Sequence, residues 1–581
     1  MGENKTTRRE YLKVAGGTVA GLAVGGAVGY YAGISTAPQP SPSPTPTAGP
    51  TPTPTPTPTK LTFIQVEQHD PVQGDPAKWA DFVGPWTFTH GYDALACWGP
   101  GTEGPAGTPS MMPMLARRWE VSQDKKTYTF HLREGVLFHD ANLMTADDVV
   151  YTLKRMLVIN EYPVSLYAEA LPVDNVEKLD KYTARVNLTK SSPLFAFGIP
   201  LIFVLSSKAI EAHIKADGPY GDKGDYATEW IQTHDAGAGP YAMKERVIGD
   251  HVSWVRWPQY WGGWRHRYFD EGVYKIVHEA TTQVQMIKAG EADRIGAWLP
   301  VALYADLEQE PDLKTDYDVA LEFYLAIWYN TQHEGLNNVH VRRALNYCFD
   351  YDKCVNDIFR GWVERLEGPV PKGITYFNPN VPMYELDLVK AQDEFDQSGY
   401  APGELTFEAV ALSLEEQRKD MLLLLADGAS QIGININVVE LPWATWMERA
   451  LGGPETAPDM TVMIPMSTYP DPDNYLYFVY HSKIWKVNKM WSLVYLDDPV
   501  VDDMLDTARY EPDDSKRRDM YYELQTRIAD NAYSCFAVKG EPNFSVMRKD
   551  IGGYEWWPYG AVPSYMPLRW HKYIKLTPEE M

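Results

Sequence analysis

The chain has 581 residues, 44% of them hydrophobic, enough for a large core and, on domain-size grounds, for more than one lobe. Its formal net charge of −25 argues against DNA, RNA or an anionic membrane surface as the main partner, and points to an acidic, solvated exterior. Four cysteines cannot build a disulfide framework in a chain of this size, and no pair has zinc-site spacing.

At the N-terminus, Thr7-Arg8-Arg9-Glu10-Tyr11-Leu12-Lys13 resembles a twin-arginine export signal. Residues 14–34 follow without a charge, long enough at 1.5 Å per residue to span roughly 30 Å of hydrocarbon. Their many glycines suit a signal segment and would weaken a buried soluble helix. Ser35-Thr36-Ala37 offers small residues for cleavage, but Pro38 hinders cutting, and the first cysteine is Cys97, too distant for lipid attachment. An uncut anchor is therefore expected over residues 1–37. Residues 38–60 are almost all Pro, Thr and Ser, a polyproline-II stalk that extends about 3.1 Å per residue. Anchor and stalk predict an extracytoplasmic protein tethered at the cell surface.

The globular part opens with a strand-like run over residues 61–66. Tyr128, Phe130 and Leu132 alternate with polar residues as in a half-buried strand, after a polar turn at residues 122–126. Thr145 is placed to cap a helix, with Asp147 and Asp148 in its first turn and Val149, Leu153, Met156 and Leu157 on one face. A second strand pair turns at Asp180-Lys181. Strands and helices in mixed order predict an α/β or α+β architecture.

Several stretches in this order resemble family 5 extracellular solute-binding proteins, the peptide-, nickel- and cellobiose-binding components of ABC importers. They are residues 115–122, 128–133, 135–140 and 145–149, the turn Gly237-Ala238-Gly239-Pro240-Tyr241, Tyr260-Trp261, the helix around Val341-Arg342-Arg343-Ala344-Leu345, and residues 521–530. The resemblance implies an α/β, two-lobed clamshell with an extra subdomain in the first lobe. It assigns residues 61–277 plus 536–581 to the first lobe and 278–535 to the second. It also implies a binding protein and no enzyme, with a peptide or oligosaccharide as ligand, an ABC permease and its ATPase subunits as partners, and no cofactor.

The loop Thr468-Tyr469-Pro470-Asp471-Pro472-Asp473-Asn474-Tyr475 matches the family's ligand-facing loop, so Thr468, Tyr469, Asp471 and Asn474 are candidate contacts. In peptide-binding members an aspartate four residues before the proline meets the ligand's amino terminus. Thr468 stands there in this chain, and Asp471 is the candidate replacement. A buried ammonium needs such a counter-charge. Trp443 and Trp446, at the end of a predicted strand, could stack on sugar rings, as could Trp86, Tyr92 and Trp98 after Asp70-Pro71. Tyr329 and Asn330, at another strand end, complete the candidates. His333, Glu334 and His340 lack metal-site spacing, and Asp471, Asp473 and Asn474 lack the rest of a calcium loop. No hydrolase nucleophile elbow, phosphate-binding loop or zinc-protease helix is present in the sequence. The rival classes are a secreted carbohydrate-active enzyme with paired carboxylates and an extracellular ligand sensor.

Overall fold

In the computed structural model the described residues are 60–71, 73–78, 89–98, 110–264, 268–296, 299–319, 324–413, 415–465, 469–487, 492–540, 542–553 and 574–576. Residues 1–59, where the signal, anchor and stalk are expected, lie outside them. Among the described residues no helix is long and apolar enough to cross a membrane.

The strand predicted first is β1 (Thr62–Glu67), the centre of a seven-stranded sheet. A short hairpin, β2 (Ala96–Trp98) and β3 (Met111–Pro113), leads into a four-stranded antiparallel sheet, β4 (Ala116–Val121), β5 (Thr127–Leu132), β6 (Val176–Asp180) and β7 (Thr183–Asn187). In β5 the apolar side chains Tyr128, Phe130 and Leu132 are buried, as their alternation requires. The predicted helix runs Ala146–Ile159, and Thr145 closes a capping box with Asp148. Its buried face carries Val149, Leu153 and Met156 into the subdomain core.

The chain then returns to the first sheet through β8 (Tyr241–Val247), β9 (His251–Arg256), β10 (Glu271–Ile276), β11 (Arg294–Ile295) and β12 (Leu313–Val319). The turn before β8 packs on Gly91, whose carbonyl oxygen would lie 2.0 Å from a Cβ at residue 237. Only glycine permits that approach. The second sheet contains β13 (Tyr324–Tyr329), β14 (Glu364–Arg365), β15 (Thr406–Leu412), β16 (Asn435–Leu441), β17 (Met460–Met463) and β18 (Ser534–Lys539). β13 is buried throughout, and its side chains alternate between two cores. Leu325, Ile327 and Tyr329 enter one, and Tyr324, Ala326 and Trp328 the other. β19 (Pro542–Arg548) rejoins the first sheet, and β20 (Ile551–Gly552) pairs with β21 (Ile574–Lys575).

Sheet membership corrects the expected lobe boundaries. Residues 280–319 build on the first sheet, so the chain enters the second sheet between β12 and β13, not at residue 278. It leaves between β18 and β19, a few residues beyond 535. The two passages are neighbours. Val319 pairs with Pro542 on the first-lobe side, and Tyr324 pairs with Lys539 on the second-lobe side. Among the described residues the lobes are thus joined where these two antiparallel pairs meet, a ribbon hinge.

A buried ion pair ties the capped helix of the subdomain to the segment that follows β1. Arg155, on the capped helix, donates from Nη1 and Nη2 to Asp75 Oδ1 and Oδ2 at 2.9 and 2.5 Å, and from Nε to the Tyr226 carbonyl at 3.0 Å. Both side chains are fully buried. Removing one partner strands the other charge in low dielectric, so Asp75→Asn should lower unfolding free energy by about 3–5 kcal/mol. Urea denaturation measures this, and an unchanged midpoint would contradict the assignment.

Candidate functional site

The direction of each strand locates the cleft. β19 leaves the hinge and pairs antiparallel with β11, so β11 runs toward the hinge, as do β1, parallel to β11, and β10, parallel to β1. In the second lobe β13 leaves the hinge. β17 is antiparallel to it and returns, and β15 and β16 run parallel to β17. The carboxyl ends of both parallel sets therefore point at the same ribbon from opposite sides. Open α/β sheets bind ligands outside such ends.

The first-lobe edge consists of Glu67 to Pro71 after β1 and Gly296 after β11. The second-lobe edge consists of Ser413 to Arg418 after β15, Pro442 and Trp443 after β16, and the segment that reaches Asp471 after β17. His69 shows the two edges in proximity. Burial, His278 and the second-lobe Arg418 together hold its pKa down to about 4.

Further out, aromatic groups join the lobes. Phe197 of the subdomain stacks on Tyr469 with centroids 5.7 Å apart, and Tyr162 meets Phe478 edge-on at 6.0 Å. Phe197 also lies 5.9 Å from Trp98, and Trp98 itself is buried in the second-lobe core. On the rim Glu169 accepts from Lys483 and, at 3.0 Å, from the Tyr510 hydroxyl, while Lys190 sits over the Tyr510 ring.

Beneath the second-lobe loop, acids are matched to arginines. Asp471 caps the helix Pro472–Tyr480 and receives Arg517 through both carboxylate oxygens at 2.6 and 2.8 Å. Asp473 accepts the Tyr469 hydroxyl at 2.6 Å and faces Arg509 Nε at 3.3 Å. Burial raises the Asp473 pKa against the pull of Arg509. Asn474 donates to the Tyr469 carbonyl at 3.1 Å and fixes the loop.

The structure brings Trp98, Trp443, Trp446, Tyr469, Asp471 and Asn474 to this region, but with different availabilities. Trp443 is 37% exposed and stacks 5.3 Å from fully buried Trp446. Asp471 was expected to be open to a ligand amine. Its full commitment to Arg517 removes it from that role in this arrangement. Tyr329 and Asn330 lie at the wrong end of their sheet, because β13 runs away from the hinge. Tyr329 donates to Asn346 Oδ1 at 2.9 Å, and Asn330 bonds the Pro454 carbonyl at 2.9 Å. Tyr92 is a core residue whose hydroxyl accepts from the Ala236 amide at 3.1 Å. His333 is held by Asp459 and the Pro454 carbonyl, and His340 by Glu394. Trp86 and Thr468 lie outside the described residues.

Sequence reasoning passed over Glu67, His69, Phe197 and Arg418. A signal existed for the first: Phe63, Gln65 and Glu67 share one face of β1, and polar residues at inward positions mark an edge that must do more than pack. Glu67 is 1% exposed, and burial lifts its pKa from 4.5 to about 7 against a hydrogen bond from Gln65 and the charge of Arg294. Between those values the folded chain holds a proton that the unfolded chain has lost. Its contribution to stability is therefore full below pH 4.5 and falls by about 3 kcal/mol as pH rises through 7. Glu67→Gln lacks this component, so its stability relative to wild type should improve by that amount between pH 4.5 and 8. A difference independent of pH would contradict the buried carboxyl.

Comparison with known proteins agrees with this architecture. Residues 110–486 match the model for bacterial extracellular solute-binding proteins, family 5 Middle. Heme-binding protein A of Haemophilus influenzae is 28% identical over 79% of this chain and 84% of its own length. The dipeptide-binding protein of Escherichia coli is 26% identical over 78% and 85%. Among solved structures, the periplasmic binding protein DppA of Helicobacter pylori in complex with the peptide STSA has a TM-score of 0.75 at 21% identity, covering 89% of this chain and 99% of that one. The dipeptide-binding protein of Pseudoalteromonas sp. SM9913 in complex with Met-Leu also has a TM-score of 0.75, at 22% identity over 88% and 100%. The two opposed strand edges and the match over well over half the chain lead to one conclusion: the protein belongs to the family 5 extracellular solute-binding proteins, the substrate-binding components of ABC importers, and is a binder rather than an enzyme.

Proposed function

We propose that the protein captures a short peptide between its lobes and delivers it to the membrane permease of an ABC importer. The observation that carries this reading is the pair of parallel-strand edges facing one another across the ribbon hinge. A ligand that touches both edges favours the closed arrangement by its higher affinity for it, and closure is the signal a permease can read. The choice of a peptide is supported by relatives named for dipeptides, which align over most of their length. Residues 14–34 serve as an uncut anchor in this proposal. The stalk that follows keeps the binder near its permease and raises its effective concentration there.

The exposed indole of Trp443, backed by Trp446, favours a second reading in which the ligand is an oligosaccharide stacked on that platform. Thermal unfolding of the full chain with pools of di- to tetrapeptides, or with α- and β-linked oligosaccharides, separates the two. A ligand at 100 times its Kd adds about 2.7 kcal/mol of stability, which shifts the melting midpoint by degrees. Stabilisation by peptides alone is the expected result. Stabilisation by sugars alone would replace the peptide reading with the second one.

A further inference from the structure

We infer that Glu67 is the first-lobe counter-charge for the ammonium group of the bound peptide. This rests on the peptide reading above and names the residue that recognises its amino terminus.

The geometry around Glu67 is that of a carboxylate kept for something outside its own lobe. It ends β1 on the edge that faces the cleft and is almost wholly buried. Oε1 accepts from Gln65 Nε2 at 2.6 Å, whereas Oε2 is buried with no hydrogen-bond partner. Such an orphan is rare and typically costs 1–3 kcal/mol, more for a charged group. Arg294, on the adjacent strand, acts on Glu67 only at longer range, and its guanidinium lies 3.4 Å from Gln65 Oε1. Residue 296 is bare where it meets the carboxylate: a Cβ on Gly296 would fall 1.7 Å from Oε1 and 2.0 Å from Oε2. The fold thus holds open a place for the carboxylate without supplying the second oxygen a donor.

Most other acids along the two edges face a donor or cation, Asp70 accepting from the Gly249 amide, while Glu416 is exposed. Asp471 and Asp473 face Arg517 and Arg509, and Glu415 pairs with Arg418 at 2.6 Å. A buried ammonium requires a counter-charge; Asp473 Oδ1 and Glu415 Oε2 also lack a hydrogen bond but each faces an arginine, whereas Glu67 Oε2 has neither. The surrounding charges are Arg294 on β11, His69 and His278 along the same edge, and Arg418 across the cleft. Because burial holds the Glu67 carboxyl near 7, an arriving cation would expel its proton, and at pH 7 binding should release about half a proton per peptide.

Isothermal titration of the full chain with alanine di- to tetrapeptides and their N-acetylated counterparts tests this, in buffers of different ionisation heat. The wild type should prefer the free amine and release protons on binding it. Glu67→Gln should weaken the free-amine peptides by at least about 30-fold, leave the acetylated ones unchanged and abolish the proton release. The acetylated peptides and the ligand-free melting midpoint report that the variant is folded. A variant that keeps its preference for the free amine overturns the assignment, as does one that loses both forms equally. If the wild type binds none of the free-amine peptides, the peptide reading falls and takes this assignment with it.

Discussion

Everything in this molecule depends on two passages of chain lying side by side. Because β12 and β19 are antiparallel partners on one side, and β13 and β18 on the other, the lobes share a ribbon. Its strand directions propagate through the hydrogen-bond ladders. Once β19 leaves the hinge, β11, β1 and β10 must run toward it; once β13 leaves, β17, β15 and β16 must return. The two carboxyl edges are therefore brought face to face by topology, before any side chain is chosen.

Side chains then divide the work between holding each lobe rigid and letting the lobes part. Within a lobe the bonds are those that are expensive to break: Arg155 with Asp75 in the subdomain, Arg517 with Asp471 under the second-lobe loop. Between the lobes, Trp98 is buried in the second-lobe core and Tyr469 in the subdomain core, and the contacts around them are of a weaker kind. The Phe197–Tyr469 stack is worth about 0.5–1.5 kcal/mol beyond the area it buries, and the exposed contacts around Glu169 are worth about 1 kcal/mol or less each. If the lobes move as bodies, as the proposed function requires, a ligand that contributes a few kcal/mol differentially can decide their arrangement.

Much of the fold was legible in the residues. The alternation of Tyr128, Phe130 and Leu132 and the cap at Thr145 each reappear as drawn, because both depend on neighbours a few residues apart. What failed depends on partners far away in sequence. Its place at a strand end suggests Asn330 as a ligand contact, but which end faces the cleft is set by the pairing of β13 with β17, more than a hundred residues later. Asp471 looked open because Arg517 lies 46 residues beyond it. The entry into the second lobe was placed too early, since nothing local marks residues 280–319 as belonging to the first sheet. Glu67 was visible only as a polar residue on an inward face, and its importance emerges when its orphan oxygen and the bare Gly296 are seen together.

In the proposed mechanism the ribbon lets ligand binding move the lobes as bodies. Small-angle X-ray scattering of the full chain, free and saturated with a peptide that binds it, tests this most directly. The expected result is a free form more extended than the arrangement described above, and a smaller radius of gyration once the peptide is bound. A scattering profile unchanged by a bound peptide would contradict it.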